Sequence, residues 1–192
     1  MIVLILGLVM FLGAHSVRIF ADDWRTAQVA RFGLNTWKGL FALVSLTGLA
    51  LIVVGFGQAR LAPVILWFPP IGLRHLAGLI ILVSFVVFVA AYVPGTRIKA
   101  KLGHPMVAGT KGWALAHLLA NGSLADVLLF GSFLAWGVLA FSSERRRDRA
   151  AGTVYPAGSL RGDLTALAVG LVAWAIVAFW LHGALFGVRL FG

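Results

Sequence analysis

The sequence predicts an all-α protein, a polytopic integral membrane bundle of about six transmembrane helices. Three observations predict it. Of 192 residues, 61% are hydrophobic and only 11% charged, with a mean hydropathy of +0.99; a soluble domain carries about a quarter charged residues. Apolar runs recur at lengths near the roughly 20 residues that a helix needs to cross the hydrocarbon. The net charge of +10 is dispersed in short clusters between those runs, which is how membrane orientation signals are placed. It does not form the single patch of a nucleic-acid site, so no nucleic-acid partner is expected and the bilayer is the primary one.

The runs cover residues 1–20, 36–56, 72–93, 105–120, 123–141 and 164–187, read as one transmembrane domain over 1–192. The first lacks a basic n-region and a small-x-small site before "RIFADDWR", so it reads as a retained helix rather than a signal peptide. Trp67, Pro69 and Pro70 mark an interfacial loop before the third run, and Pro94–Gly95 stops it. Pro105 suits the first turn of the fourth run, where its missing N–H costs nothing. The fourth and fifth are joined only by Asn121–Gly122, a pair that tolerates the left-handed backbone of a helix C-terminus. The stretch "SSERRRDRAAG" reads as a polar loop. Gly183 and Gly187 make a weak GxxxG match.

Charge tests the count. The first connection with its flanks holds Arg18, Arg25, Arg31 and Lys38. The third holds Arg97, Lys99, Lys101 and Lys111, and the fifth Arg145, Arg146, Arg147, Arg149 and Arg161. Only Arg60, Arg74 and Arg189 fall on the even side. Positive charge favours the cytoplasm, so both termini are expected in the periplasm of a bacterial inner membrane.

Composition also removes functions. There is no cysteine, which excludes disulfides, thiolate-held metals, iron–sulfur clusters and cysteine nucleophiles. Asp22, Asp23, Glu144, Asp148 and Asp163 fall in connections, and Asp126 starts the fifth run. With no carboxylate at mid-membrane, a carboxylate proton relay is disfavoured. So are a metallohydrolase and a two-carboxylate glycosidase.

The histidines remain: His15, His75, His104, His117 and His182. An ionisable residue within a span is a functional candidate, although a neutral imidazole also bonds helices together. From His104 to His117 a helix turns roughly 220° and rises about 20 Å, so these two cannot share one metal. His104, beside Pro105, reads as a helix-start residue. His117 shares a face with Thr110, Trp113 and Asn121 by three- and four-residue steps, a polar and aromatic seam suited to a pocket. Imidazoles without cysteine or carboxylate partners match a zinc cage poorly. A haem needs only one imidazole from each of two helices.

The segments "FLGAHSVRIFADDWR", "AAYVPGTRIKAKLGHPM" and "GWALAHLLANGSLADVLLFGSFLAWG" together resemble the NnrU family of bacterial membrane proteins over nearly the whole chain. That family is linked to nitrite and nitric oxide reduction in denitrifying bacteria. It is related to 15-cis-ζ-carotene isomerase, a membrane enzyme that binds haem b. The resemblance implies haem b here, with His117 and His15 at the positions of its two ligands and His104 at that of the HP histidine. Where the isomerase has a cysteine implicated in ligand switching, this chain has Ala114. Helix depth speaks against the His15–His117 pair. If the first helix runs inward, the two differ by about 10 Å at 1.5 Å per residue. His15 stands first by the resemblance, and His75 and His182, nearer the depth of His117, stand as alternatives.

The leading expectation is a haem-b protein with a redox or accessory role in nitrite and nitric oxide reduction. Its partners would be the reductases' maturation or redox proteins. A haem-dependent cis–trans isomerase of a polyene such as ζ-carotene is the second. A cofactor-free small transporter or assembly protein is the third.

Overall fold

The computed structural model describes residues 1–188; Arg189 lies outside the described residues. Helices make up the fold, and the only β-pairing among the described residues is two isolated bridges, Ile65 with Ser123 and Thr96 with Ser159. The chain forms two compact units, one of Met1–Pro69 with Asn121–Ala140, the other of Pro70–Ala120 with the chain from Phe141 onward.

The first unit is built on α1 (Ile2–Phe20) and α3 (Leu34–Leu61), joined by the short α2 (Asp22–Phe32). Asp22 and Asp23 open α2, at the positive end of its dipole, and Asp22 lies 3.5 Å from Arg18. Gly33, with φ +84°, ends α2 and admits α3. In lipid, helices associate by close packing of small residues rather than by hiding oily ones. The α1–α3 contact obeys that rule. A Cβ on Gly7 would come within 2.6 Å of the Ile52 nitrogen, and one on Gly48 within 2.7 Å of the Phe11 nitrogen. Large side chains such as Leu46 and Val53 are 66% and 62% exposed, as befits a surface solvated by acyl chains.

The Asn121–Gly122 junction is made differently from the expectation. Neither residue has a positive φ. Instead the 62–70 loop reaches the junction: Leu66 N–H donates to the Gly122 carbonyl at 2.8 Å, and Leu124 N–H donates to Val64 at 2.8 Å. A Cβ on Gly122 would collide with the Trp67 carbonyl. Ser123 then caps α7 (Leu124–Ala151). Its Oγ accepts from Asp126 N–H at 3.2 Å while the Asp126 carboxylate accepts from Ser123 N–H at 3.1 Å.

In the second unit, α4 (Ile71–Val89) packs against α6 (Pro105–Ala120) and α8 (Leu160–Ile176). Glycines again set the contacts. A Cβ on Gly109 would meet the Ser84 carbonyl at 2.9 Å, and one on Gly170 the Val86 Cα at 2.7 Å. Between α4 and α6 lies α5 (Arg97–Leu102), capped by the Thr96 hydroxyl, which accepts from Lys99 N–H at 3.0 Å, and ended by Gly103 at φ +76°. Pro105 takes the first position of α6 as expected. The C-terminal helix carries a π-helical turn over Val177–Leu181, then α9 (His182–Phe186), which Gly187 ends at φ +67°. Gly187 therefore terminates a helix, and among the described residues nothing lies where its Cβ would be.

Two sequence expectations are corrected. The run 143–151 is not a loop but the last part of α7: arginine and glutamate are good helix formers, and Arg147 bonds back to Ser143 at 2.8 Å. The connections of residues 21–35 and 97–102 are largely helical, as α2, the start of α3 and α5. Among the described residues, five helices are long and apolar enough to cross a membrane. The fourth expected span, α6, has 16 residues and covers about 24 Å of a hydrocarbon core of roughly 30 Å.

Candidate functional site

Each histidine has a distinct setting. In the second unit, α6 carries His117 in its last turn and α9 begins at His182. Their imidazoles are parallel to within 9°, with ring centroids 6.4 Å apart. His182 Nδ1 lies 2.7 Å from the Val188 carbonyl. A carbonyl only accepts, so Nδ1 carries the proton and Nε2 keeps its lone pair. That is the tautomer of a metal-ligating imidazole held by a backbone oxygen.

The aim of His182 depends on the π-helical turn before it. A turn with i→i+5 bonding is wider than an α-turn. It rotates the next helical segment by roughly one residue's worth, about 100°, relative to an unbroken α-helix. Nothing in "AWAIVAFWLHG" signals this, since the segment lacks proline and its one glycine comes after the histidine.

The seam on α6 is partly realised. Trp113 meets His117 edge-on, with centroids 5.3 Å apart. Thr110 donates its hydroxyl to the Met106 carbonyl at 3.0 Å, so that proton is spent within the helix. Asn121 lies beyond the end of α6 and belongs to the first unit.

His15 also belongs to the first unit, in an aromatic box. Phe11 stacks on it at 4.2 Å, Phe41 lies 4.9 Å away, and Trp136 meets it edge-on at 6.0 Å. Its Nδ1 donates to the Phe11 carbonyl at 2.7 Å, again leaving Nε2 with a lone pair. Two buried polar atoms of this unit, Trp136 Nε1 and Ser45 Oγ, have no hydrogen-bond partner. His75, on α4, is exposed.

His104 is the least expected. Rather than only starting a helix, it sits among groups from the end of α7 and the loop beyond. Its Nε2 is 2.8 Å from Asp148 Oδ2, which also accepts the Tyr155 hydroxyl at 2.9 Å. Its Nδ1 is 3.0 Å from Glu144 Oε2. That approach does not make a hydrogen bond, since Oε2 has no hydrogen-bond partner among the described residues. Burial, and after it the hydrogen bond to Asp148, raises the Tyr155 phenol above its ordinary value and keeps it a donor. The Asp148 contact fastens His104, in the turn before α6, to the end of α7. The four-residue spacing of Glu144 and Asp148 was the available signal, since on a helix it puts both on one face.

Among the described residues, no three His, Asp or Glu side chains converge on a point where a metal ion could sit. The His117–His182 pair therefore stands as a two-imidazole arrangement. The two rings are stacked with centroids 6.4 Å apart, near enough for both to reach one bound group.

No curated protein and no solved structure matches the chain. The family model described as NnrU protein matches residues 3–190, nearly its whole length. With five helices suited to spanning a bilayer, the chain belongs to the NnrU family and is an NnrU-type membrane protein.

Proposed function

We propose that this protein binds one haem b through His117 and His182, in a bacterial inner membrane with both termini periplasmic, and serves nitrite and nitric oxide reduction as a redox or accessory component. The observation that carries the reading is the pair of parallel imidazoles 6.4 Å apart. A haem held by these two residues would supply one-electron transfer. The chain's own contribution is to hold the ligands. The Val188 carbonyl fixes the tautomer and orientation of His182, and Trp113 flanks His117.

His15 is the second reading. The family resemblance favours it, and its Nδ1 bond to Phe11 leaves Nε2 equally suited to a metal. A polyene isomerase working by a thiolate switch has no residue to carry the switch, because Ala114 stands at that position and the chain has no cysteine.

The test is the optical spectrum of the detergent-purified protein. The reading expects a Soret band that is lost in His117→Ala. A colourless protein that takes up no added haem contradicts it. The physiological part is tested separately, by nitrite and nitric oxide consumption in cells lacking the protein. Unchanged rates there sink the accessory role and leave haem binding standing.

A further inference from the structure

The corner where α5 meets α8 joins a cationic end to an apolar groove. Ser159 N–H donates to the Gly95 carbonyl at 2.8 Å, and the Asp163 carboxylate accepts from the backbone N–H groups of Arg97 and Ile98 at 2.8 and 3.2 Å. Glycine makes this approach possible, since a Cβ on Gly158 or Gly162 would collide with the 95–97 backbone. Arg97 and Arg161 thus leave two backbones that are fastened side by side, and both side chains are exposed.

The nearby acids are turned inward. Asp163 caps the α5 backbone, and Glu144 and Asp148 face His104. Among the described residues, no carboxylate pairs with Arg97 or Arg161. From Arg161 a shallow, open groove runs along the face of α8 past Leu164, Thr165, Ala168 and Val169. Its wall is apolar even at Thr165, whose hydroxyl donates to the Arg161 carbonyl at 2.9 Å. Leu160 and Leu164 are exposed along it.

We propose that this corner binds one anionic phospholipid of the surrounding bilayer, its phosphate at Arg97 and Arg161 and an acyl chain along the α8 groove. From Arg161 to Val169 the groove covers eight helical steps, about 12 Å, a length that suits a chain lying parallel to a membrane-spanning helix. A free inorganic anion has no use for that apolar wall. The cationic end is also the one that the distribution of charge assigns to the cytoplasmic leaflet. Haem plays no part in this site.

The experiment is native mass spectrometry of the full-length protein, delipidated in mild detergent and titrated with phosphatidylglycerol or phosphatidylcholine. The wild type is expected to retain one phosphatidylglycerol and to prefer it over phosphatidylcholine. Arg97→Gln with Arg161→Gln should weaken retention about five-fold per arginine removed. The control, Arg146→Gln with Arg149→Gln, removes equal charge from the exposed end of α7 and should leave retention unchanged. Should the first double variant not fold, Ala168→Trp fills the groove with both arginines kept, and should lower retention on its own. Equal binding of the two lipids overturns the proposal, as does retention that the groove variant does not affect. So does displacement of the lipid by millimolar inorganic phosphate, or an equal loss in the control.

Discussion

The imidazoles of His117 and His182 lie parallel within 9° and 6.4 Å apart, one at the end of α6 and the other at the start of α9. Two helices so short are held in place by their neighbours. Contacts of α4 with α6 and with α8 position both, and the wide turn at Val177–Leu181 sets the final angle of His182.

That turn gives the first prediction. A π-helical turn absorbs one extra residue, so deleting Phe179 should close it into a regular α-turn and leave the histidine on its present face. Haem content per protein, read from the Soret band, should be retained. Inserting one alanine after Phe179 should instead turn the histidine away by about 100° and reduce haem to the level of His182→Ala. Loss of haem in the deletion and not in the insertion counts against the assigned role of the turn.

The second prediction concerns α1 and α3. A Cβ on Gly55 would press on the Leu4 backbone, whereas one on Gly57 would meet open space. Gly55→Leu should destabilise the protein by about 1–3 kcal/mol through overpacking. Gly57→Leu should leave thermal unfolding in detergent near wild type. Equal melting temperatures for the two variants refute the backbone-to-backbone contact.

Much of this fold was legible in the chain, and the misses have physical causes. Hydropathy located the long helices because lipid demands uninterrupted apolar runs, and Pro105 marked the start of α6 correctly. The polar end of α7 was missed because charge density reads as solvent exposure, while here Glu144 and Asp148 face His104 in the turn before α6. At Gly122 the signal was real but its cause differed: the glycine admits the Trp67 carbonyl rather than a left-handed turn. Among the candidate residues, the position of His117 on a seam with Trp113 came from helical spacing. The approach of His182 did not, because it depends on a local change of helix period that leaves no mark in the composition.

The third prediction uses the Tyr155 phenol. Its raised pKa means that the hydrogen bond to Asp148 contributes fully below the ordinary tyrosine value of about 10 and is lost as pH rises through the folded-state value. In an absorbance titration of tyrosinate, Tyr155→Phe should remove a late-titrating step. At neutral pH it should cost about 0.5–1.5 kcal/mol. A Tyr155→Phe titration that still shows the late step contradicts the assignment.

The fourth concerns the fastening of His104. Asp148→Ala leaves the imidazole and the Tyr155 hydroxyl without their shared acceptor. Amide exchange in the last turn of α7 and over residues 153–159 should then accelerate by at least about ten-fold, since each hydrogen bond to a charged group contributes about 1.5–3 kcal/mol. The haem spectrum should not change, since His104 is not assigned as a ligand. A shifted Soret band in Asp148→Ala would place His104 at the iron instead.

The most direct test of the central claim is low-temperature electron paramagnetic resonance of the oxidised, haem-loaded protein, with His117→Ala, His182→Ala and His15→Ala alongside. The account predicts a rhombic low-spin ferric signal, the signature of two imidazoles with nearly parallel planes. That signal should persist in His15→Ala and give way to high-spin iron or haem loss in the other two variants. A low-spin signal that survives in His182→Ala and disappears in His15→Ala contradicts the pairing of His117 with His182.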